Sequence, residues 1–90
     1  MPDGQELPDD PYLQAKRCLE IIGEALAEAG ARPEHVVRTR VYLTSPDVWE
    51  AVARAHAEMF GEARPAATAV VTQLLDPRWH VEIEAEALLP

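Results

Sequence analysis

The chain has 90 residues and a formal net charge of −8, because its 16 acidic residues outnumber 8 lysines and arginines. Apolar residues make up 48% of it, which argues against a disordered chain, and no dense basic cluster offsets the acidic field, which disfavours nucleic-acid binding. Cys18 is the one cysteine, so the sequence excludes an internal disulfide and a cysteine-based metal site. We expect Cys18 to be a small buried apolar residue.

The first residues, 1–6, have neither the basic nor the apolar stretch of a secretion signal, and no apolar run is long enough for a membrane span. These features predict a cytoplasmic protein that does not bind membranes. Ninety residues predict a single domain, 1–90, near the smallest size at which one core folds alone. Oligomerisation would therefore stabilise it.

A first helix is predicted over residues 11–29. Asp10 is a typical N-cap, Pro11 follows at the first helical position, and Gly30 is a typical stop. Apolar residues recur between them at helical spacing, which indicates one buried face. They are Ala15, Cys18, Leu19, Ile22, Ala25, Leu26 and Ala29.

A strand is predicted over residues 36–44, where β-branched residues are dense and side chains alternate in character. The alternation assigns one set to the buried face, namely Val37, Thr39, Val41 and Leu43. It assigns a second set to the opposite face, namely Arg38, Arg40 and Tyr42. In the simplest interpretation, the second set lies on the surface of a one-sided sheet.

A second helix is predicted over residues 46–60, because Ser45 is a typical N-cap and Pro46 suits the first helical position. His56 lies in its apolar stripe without another histidine or acid at the spacing of metal ligands. We therefore expect a packed histidine there. His35 and His80 have no better partners, and we predict no metal site.

The segment from Arg64 to Glu86 has the most unusual pattern in the chain. It predicts a strand rich in threonine and valine over residues 67–74 and a second strand over residues 80–88. Carboxylates alternate with apolar residues in the second strand, so one of its faces is buried and the other is acidic. The acidic residues are Glu82, Glu84 and Glu86.

The order of the elements predicts an α+β fold. Strand 36–44, helix 46–60 and strand 67–74 would form a parallel βαβ unit. Strand 80–88 would then turn back and pair antiparallel with strand 67–74. Two helices would cover one face of the mixed sheet, and the other face would place arginines near carboxylates.

Five stretches together resemble the RidA/YjgF family of reactive intermediate deaminases, which also carries the name L-PSP endoribonuclease. They are Asp9–Tyr12, Ala27–Ala31, Val36–Thr44, Arg64–Ala66 and Val81–Ala85, in the family's order within residues 3–89. The resemblance implies a chorismate-mutase-like mixed sheet with two helices on one face, assembled as a homotrimer with small-molecule clefts between subunits. It implies hydrolysis of reactive 2-imino or enamine metabolites to keto acids and ammonia, with no metal or organic cofactor.

Carried over by position, the resemblance makes Glu82 the catalytic residue, a glutamate that positions the attacking water. The arginine that binds the substrate carboxylate in imine deaminases corresponds to Ala67, and a cysteine whose backbone N–H helps to hold that carboxylate corresponds to Ala69. An asparagine found in the second helix of some members corresponds to Ala53. Losing the arginine removes a charge-assisted hydrogen bond worth about 1.5–3 kcal/mol. Arg64 is the candidate replacement for substrate binding.

The resemblance also implies two strands before the Asp3-Gly4 turn, at which this chain begins. A start placed too late in the gene, or a truncated form, would explain that difference. Without those strands a sheet edge would be exposed, so we expect the isolated chain to be poorly stable.

Three functions therefore remain open. The first is hydrolysis of C=N bonds with Glu82 as the base. The second, favoured by Ala67, is a non-catalytic or differently specific trimer that binds small metabolites. The third is an endoribonuclease, which the charge of −8 disfavours. An unrelated ferredoxin-like regulatory domain fits the order of elements but leaves the resemblance unexplained.

Overall fold

A computed structural model describes residues 8–61 and 65–89. Its elements are helix α1 (Pro11–Glu28), strand β1 (Val36–Leu43), helix α2 (Trp49–Phe60), strand β2 (Ala66–Val71) and strand β3 (Val81–Ala87). Short 3-10 turns at Pro33–His35 and Pro46–Val48 precede β1 and α2. The Asp3-Gly4 turn and Arg64 lie outside the described residues.

The ends of α1 follow from the residues that border it. The Asp10 carboxylate accepts hydrogen bonds from the backbone N–H groups of Tyr12 and Leu13, at 2.8 and 3.1 Å. After the last turn, Gly30 has a φ of +80°, a left-handed conformation that favours glycine and closes the helix. The predicted helix is thus confirmed, with its end at Glu28.

The start of α2 differs from the prediction by one short turn. Ser45 accepts a hydrogen bond from the backbone N–H of Asp47 at 3.1 Å, as an N-cap does. Pro46 nevertheless begins a 3-10 turn, and the α-helix begins at Trp49. Tightening of the first turn into a 3-10 helix is common at helix ends.

Strand β1 lies at the centre of a three-stranded sheet in the order β2-β1-β3. It runs parallel to β2, which confirms the predicted βαβ pairing, and antiparallel to β3. The predicted hairpin is wrong, because β3 pairs with β1 and not with β2. Charge favours this neighbour: beside β1, Glu86 and Glu84 lie opposite Arg38 and Arg40, whereas β2 has no charged residue to meet them.

A bulge at the start of β1 corrects a second prediction. Val36 pairs with Ala87 and Arg38 pairs with Glu86, so Val37 is an extra residue on one strand. The extra residue reverses the alternation: Val36 is buried, and Val37, which the pattern assigned to the core, is 44% exposed.

The core lies between the two helices and the β1–β3 half of the sheet. Its largest fully buried side chains include Phe60, Val41 and Val52. Thr39 is also fully buried, and its hydroxyl lies 2.8 Å from Nε2 of His56 on α2. His56 is therefore a packed histidine with a polar partner, as predicted, and burial lowers its pKa.

Strand β2 lies outside this core. All six of its residues are exposed, including both valines, and Val71 keeps 55% of its surface accessible. Its hydrogen bonds to β1 hold it in the sheet, but neither of its faces is covered by the described residues.

Candidate functional site

The face of the sheet opposite the helices carries the predicted row of charges. Along β1, the strand register places Arg38 beside Glu86, Arg40 beside Glu84 and Tyr42 beside Glu82. Glu84 accepts a hydrogen bond from the Tyr42 hydroxyl, and its Oε1 lies 3.9 Å from Nη1 of Arg40. The sequence thus predicted that arginines and carboxylates share this face, although it assigned β3 to the wrong neighbour.

Glu82, the predicted catalytic residue, lies near the start of β3 and is half-buried. Its Oε1 is 4.0 Å from the sulfur of Cys18 on α1. The carboxylate therefore lies at the edge of the sheet beside the first helix, unlike Glu84, which interacts with β1 side chains. This contact joins Glu82 to the helical layer.

Cys18 is the helix residue that lies beside the Glu82 carboxylate. Only 6% of its surface is exposed, which confirms the predicted burial. Burial, and secondly the negative charge of Glu82, raise the pKa of the thiol to about 11. Cys18 is therefore a neutral thiol near pH 7 and a poor nucleophile.

The two alanines that replace the expected carboxylate-binding residues lie away from Glu82. Ala67 and Ala69 pair with Thr39 and Val41, whose side chains face the helices, so the alanines share that side of the sheet. Glu82 pairs with Tyr42, which alternates to the opposite side. β2 and β3 are also two strand spacings apart, about 10 Å.

One chain therefore does not bring the predicted site residues together. Arg64, the candidate replacement for the missing arginine, lies outside the described residues. Ala53 is half-buried on α2, on a different layer from Glu82. Within one chain, Glu82 and the alanines of β2 do not share a site.

Gln14 is a residue that the sequence analysis missed. It is fully buried, and its side-chain amide donates to the carbonyl oxygens of Pro8 at 2.7 Å and Arg78 at 2.9 Å. Its Oε1 accepts from the backbone N–H of His80 at 2.7 Å. The available signal was its place in the helix: Gln14 is one turn before Cys18 on the same buried face.

The loop that leads to β3 is held by a local ion pair. Arg78 binds Asp76 through its guanidinium, with Nη2 2.6 Å from Oδ2, and through its backbone N–H at 2.9 Å. These hydrogen bonds, the side-chain one first, lower the pKa of Asp76 to about 2. Asp76 lines a cavity of about 440 Å³ at the carboxyl ends of β1 and β2. An acid so fully ionised and paired is unsuited to accept a proton.

Two further observations concern metal binding and membrane spans. Within the ranges 8–61 and 65–89, no group of three or more histidine, cysteine, aspartate or glutamate residues is placed to hold a metal ion. The helices described are too short or too polar to cross a bilayer.

Comparisons with known proteins place the chain in a family. The family model described as Endoribonuclease L-PSP matches residues 1–89. An uncharacterized protein of Streptomyces coelicolor is 44% identical over 87% of the chain and 59% of its own length. A 2-iminobutanoate/2-iminopropanoate deaminase of Capra hircus is 34% identical over 94% of the chain and 62% of its own length.

A solved structure shows the same fold. Rv2704 of Mycobacterium tuberculosis, a member of the YjgF/YER057c/UK114 family, superimposes with a TM-score of 0.87 and is 43% identical, over 92% of this chain and 71% of that one. The chain spans less than two thirds of the length of the first curated relatives that it matches, 59%, 66% and 61% of them. Sequence, family model and fold agree: the chain belongs to the RidA/YjgF family, Endoribonuclease L-PSP.

Proposed function

We propose that the protein hydrolyses reactive 2-imino acids to 2-keto acids and ammonia, with Glu82 as the base that activates water. The observation that supports the proposal is the setting of Glu82: the glutamate that the family resemblance assigns as water-positioning is a half-buried carboxylate at the edge of the sheet. The goat relative named as a 2-iminobutanoate/2-iminopropanoate deaminase supports this choice of substrate class.

The proposed reaction needs one water and one base. Glu82 accepts a proton from the water as its oxygen bonds to the imine carbon, and the proton then passes to the nitrogen. When the tetrahedral intermediate collapses, Glu82 carries the hydroxyl proton to the nitrogen, the C–N bond breaks and a C=O bond forms, so ammonia leaves and no oxidant or reductant is consumed. A carboxylate held in a cleft suits this role because it can accept and return the same proton.

Assembly is part of the proposal. Both faces of β2 are exposed, and Ala67 and Ala69 lie on the side of the sheet away from Glu82. In a homotrimer, β2 of one chain would meet Glu82 of its neighbour and close a cleft between them. Exposed apolar strands of this kind are typical of surfaces that bind another chain.

The test is hydrolysis of 2-iminobutanoate generated in situ, followed as keto-acid formation. Glu82→Gln keeps the shape of the side chain and removes the base, so we expect the rate to fall by about 10²–10⁴-fold. Glu86→Gln is the matched control, because Glu86 lies on the same strand and is exposed. Wild-type protein that gives no acceleration, or a Glu82→Gln variant with full activity, would contradict the proposal.

A second function is favoured by Ala67 alone. A site without the guanidinium that pairs with a carboxylate has lost its strongest reason to prefer imino acids. In that case the trimer binds an uncharged small metabolite in the same cleft and catalyses nothing. Saturable binding of an uncharged carbonyl compound, with no binding of 2-ketobutanoate, is the outcome that selects this function.

A further inference from the structure

Gln14 connects three separate parts of the molecule through one buried amide. Its nitrogen donates to Pro8, which precedes α1, and to Arg78, which precedes β3, while its oxygen accepts from His80. The amide therefore has both hydrogens and its oxygen occupied, and the side chain is fully buried. A satisfied buried amide of this kind fixes the geometry of the groups around it.

The backbone that Gln14 holds leads directly to Glu82. His80 donates its N–H to Gln14, and its carbonyl oxygen accepts from the backbone N–H of Thr44 at 3.1 Å. His80 is thus held between α1 and the end of β1, with one residue, Val81, before Glu82. One turn further along α1, Cys18 lies 4.0 Å from the Glu82 carboxylate.

We infer that Gln14 is a positioning residue for Glu82: it holds the start of β3 against α1 and so places the carboxylate beside Cys18. The inference rests on the proposed function for its catalytic consequence. The positioning of Glu82 is independent of the proposed function, since it follows from the contacts of Gln14 and Cys18. A displacement of about 1 Å at a base can lower a rate by about 10²-fold, so such a tether matters for catalysis.

The first test measures position without measuring activity. Cys18 is the one cysteine of the chain, so a small uncharged thiol reagent reports on it alone. In the wild type, burial and Glu82 suppress the thiolate and we expect slow reaction. Gln14→Leu removes all three hydrogen bonds at similar volume. Movement of Glu82 away from Cys18 should then accelerate labelling by about tenfold for each unit by which the pKa falls.

The second test measures the catalytic consequence. In Gln14→Leu we expect kcat for 2-iminobutanoate to fall by about 10²-fold while KM changes by less than about threefold, because Gln14 does not contact the substrate. Gln73→Leu is the matched control, since Gln73 is exposed on the loop after β2. It should leave the labelling rate, kcat and KM unchanged.

A milder substitution and a folding measurement separate loss of positioning from loss of folding. Gln14→Asn keeps an amide with the same donors and acceptor on a side chain one methylene shorter, so its labelling rate and kcat should lie between those of the wild type and Gln14→Leu. A cooperative thermal transition confirms that each variant is folded. Folded Gln14 variants that label and turn over like the wild type would overturn the inference. A wild type with no deaminase activity would overturn the proposed function only, because labelling still tests the position of Glu82.

Discussion

Strands β2 and β3 flank the same central strand, yet they differ in what covers them. β3 packs against α1, with Val81 and Ile83 buried in the core. β2 has the same hydrogen-bonding partner and is also apolar, but all six of its residues are exposed. The difference teaches that the residues the structure describes cover the β3 half of the sheet and leave the β2 half exposed.

The largest expected effect comes from truncating one residue on each flanking strand. Ile83→Ala on β3 should lower the free energy of unfolding by about 2–5 kcal/mol, because Ile83 is buried against the helices. Val70→Ala on β2 should change it by about 0.5 kcal/mol or less in dilute protein, since Val70 is 40% exposed. Urea unfolding measures both. If both variants lost the same free energy of unfolding in a dilute, monomeric sample, β2 and β3 would not differ in how far they are covered.

A charge on β2 tests whether the exposed strand contacts another chain. Ala69→Lys should raise the dissociation constant of the proposed assembly by about tenfold or more, equivalent to about 1.4 kcal/mol, because the ammonium group would be desolvated there. Analytical ultracentrifugation over a dilution series measures it. Ala57→Lys, on the exposed side of α2, is the matched control and should not alter assembly. An unchanged dissociation constant in Ala69→Lys would show that β2 is not the contact.

A smaller effect concerns His56, which packs in the covered half of the molecule: the free energy of unfolding should depend on pH through its ring. Burial lowers the pKa of His56 in the folded protein, so the unfolded chain binds the proton more readily. The stability that the neutral ring contributes is therefore fully present above the unfolded pKa, about 6.5, and is lost as the pH falls toward the folded value.

The measurement compares urea unfolding of the wild type and His56→Gln at about pH 7.5 and about pH 5. We expect the wild type to lose more stability than the variant over that interval. Glutamine can still bond to Thr39, the 2.8 Å partner of His56, and it does not titrate. If the wild type and His56→Gln lost the same free energy of unfolding between the two pH values, the pH dependence would come from groups other than His56.

Much of the fold could be predicted because its signals are local. Asp10 and Gly30 marked the two ends of α1 to within a few residues. The apolar stripe through Ala15 and Leu19 identified the buried face of the helix. The alternation of acids on β3 likewise predicted which face would carry charge. Each of these signals depends on neighbours within one or two turns of chain, where spacing determines geometry.

The misses depended on distant parts of the chain. The length of the segment between β2 and β3 is compatible with either neighbour for β3, and the arginines of β1 decide between them. Gln14 looks like an ordinary polar helix residue until Arg78 and His80 fold onto it. For the site, Glu82 stays a prediction from the family resemblance, whereas its contact with Cys18 required the structure.

The bulge at Val37 has a consequence for changes in chain length. Because side chains alternate with period 2, one residue inserted or deleted in the middle of a strand transfers every later side chain to the opposite face. At Val37 the extra residue is already outside the ladder, and the pairs from Arg38 to Leu43 do not depend on it. The start of β1 is thus the position where evolution could shorten or lengthen this strand while leaving the charged face in register.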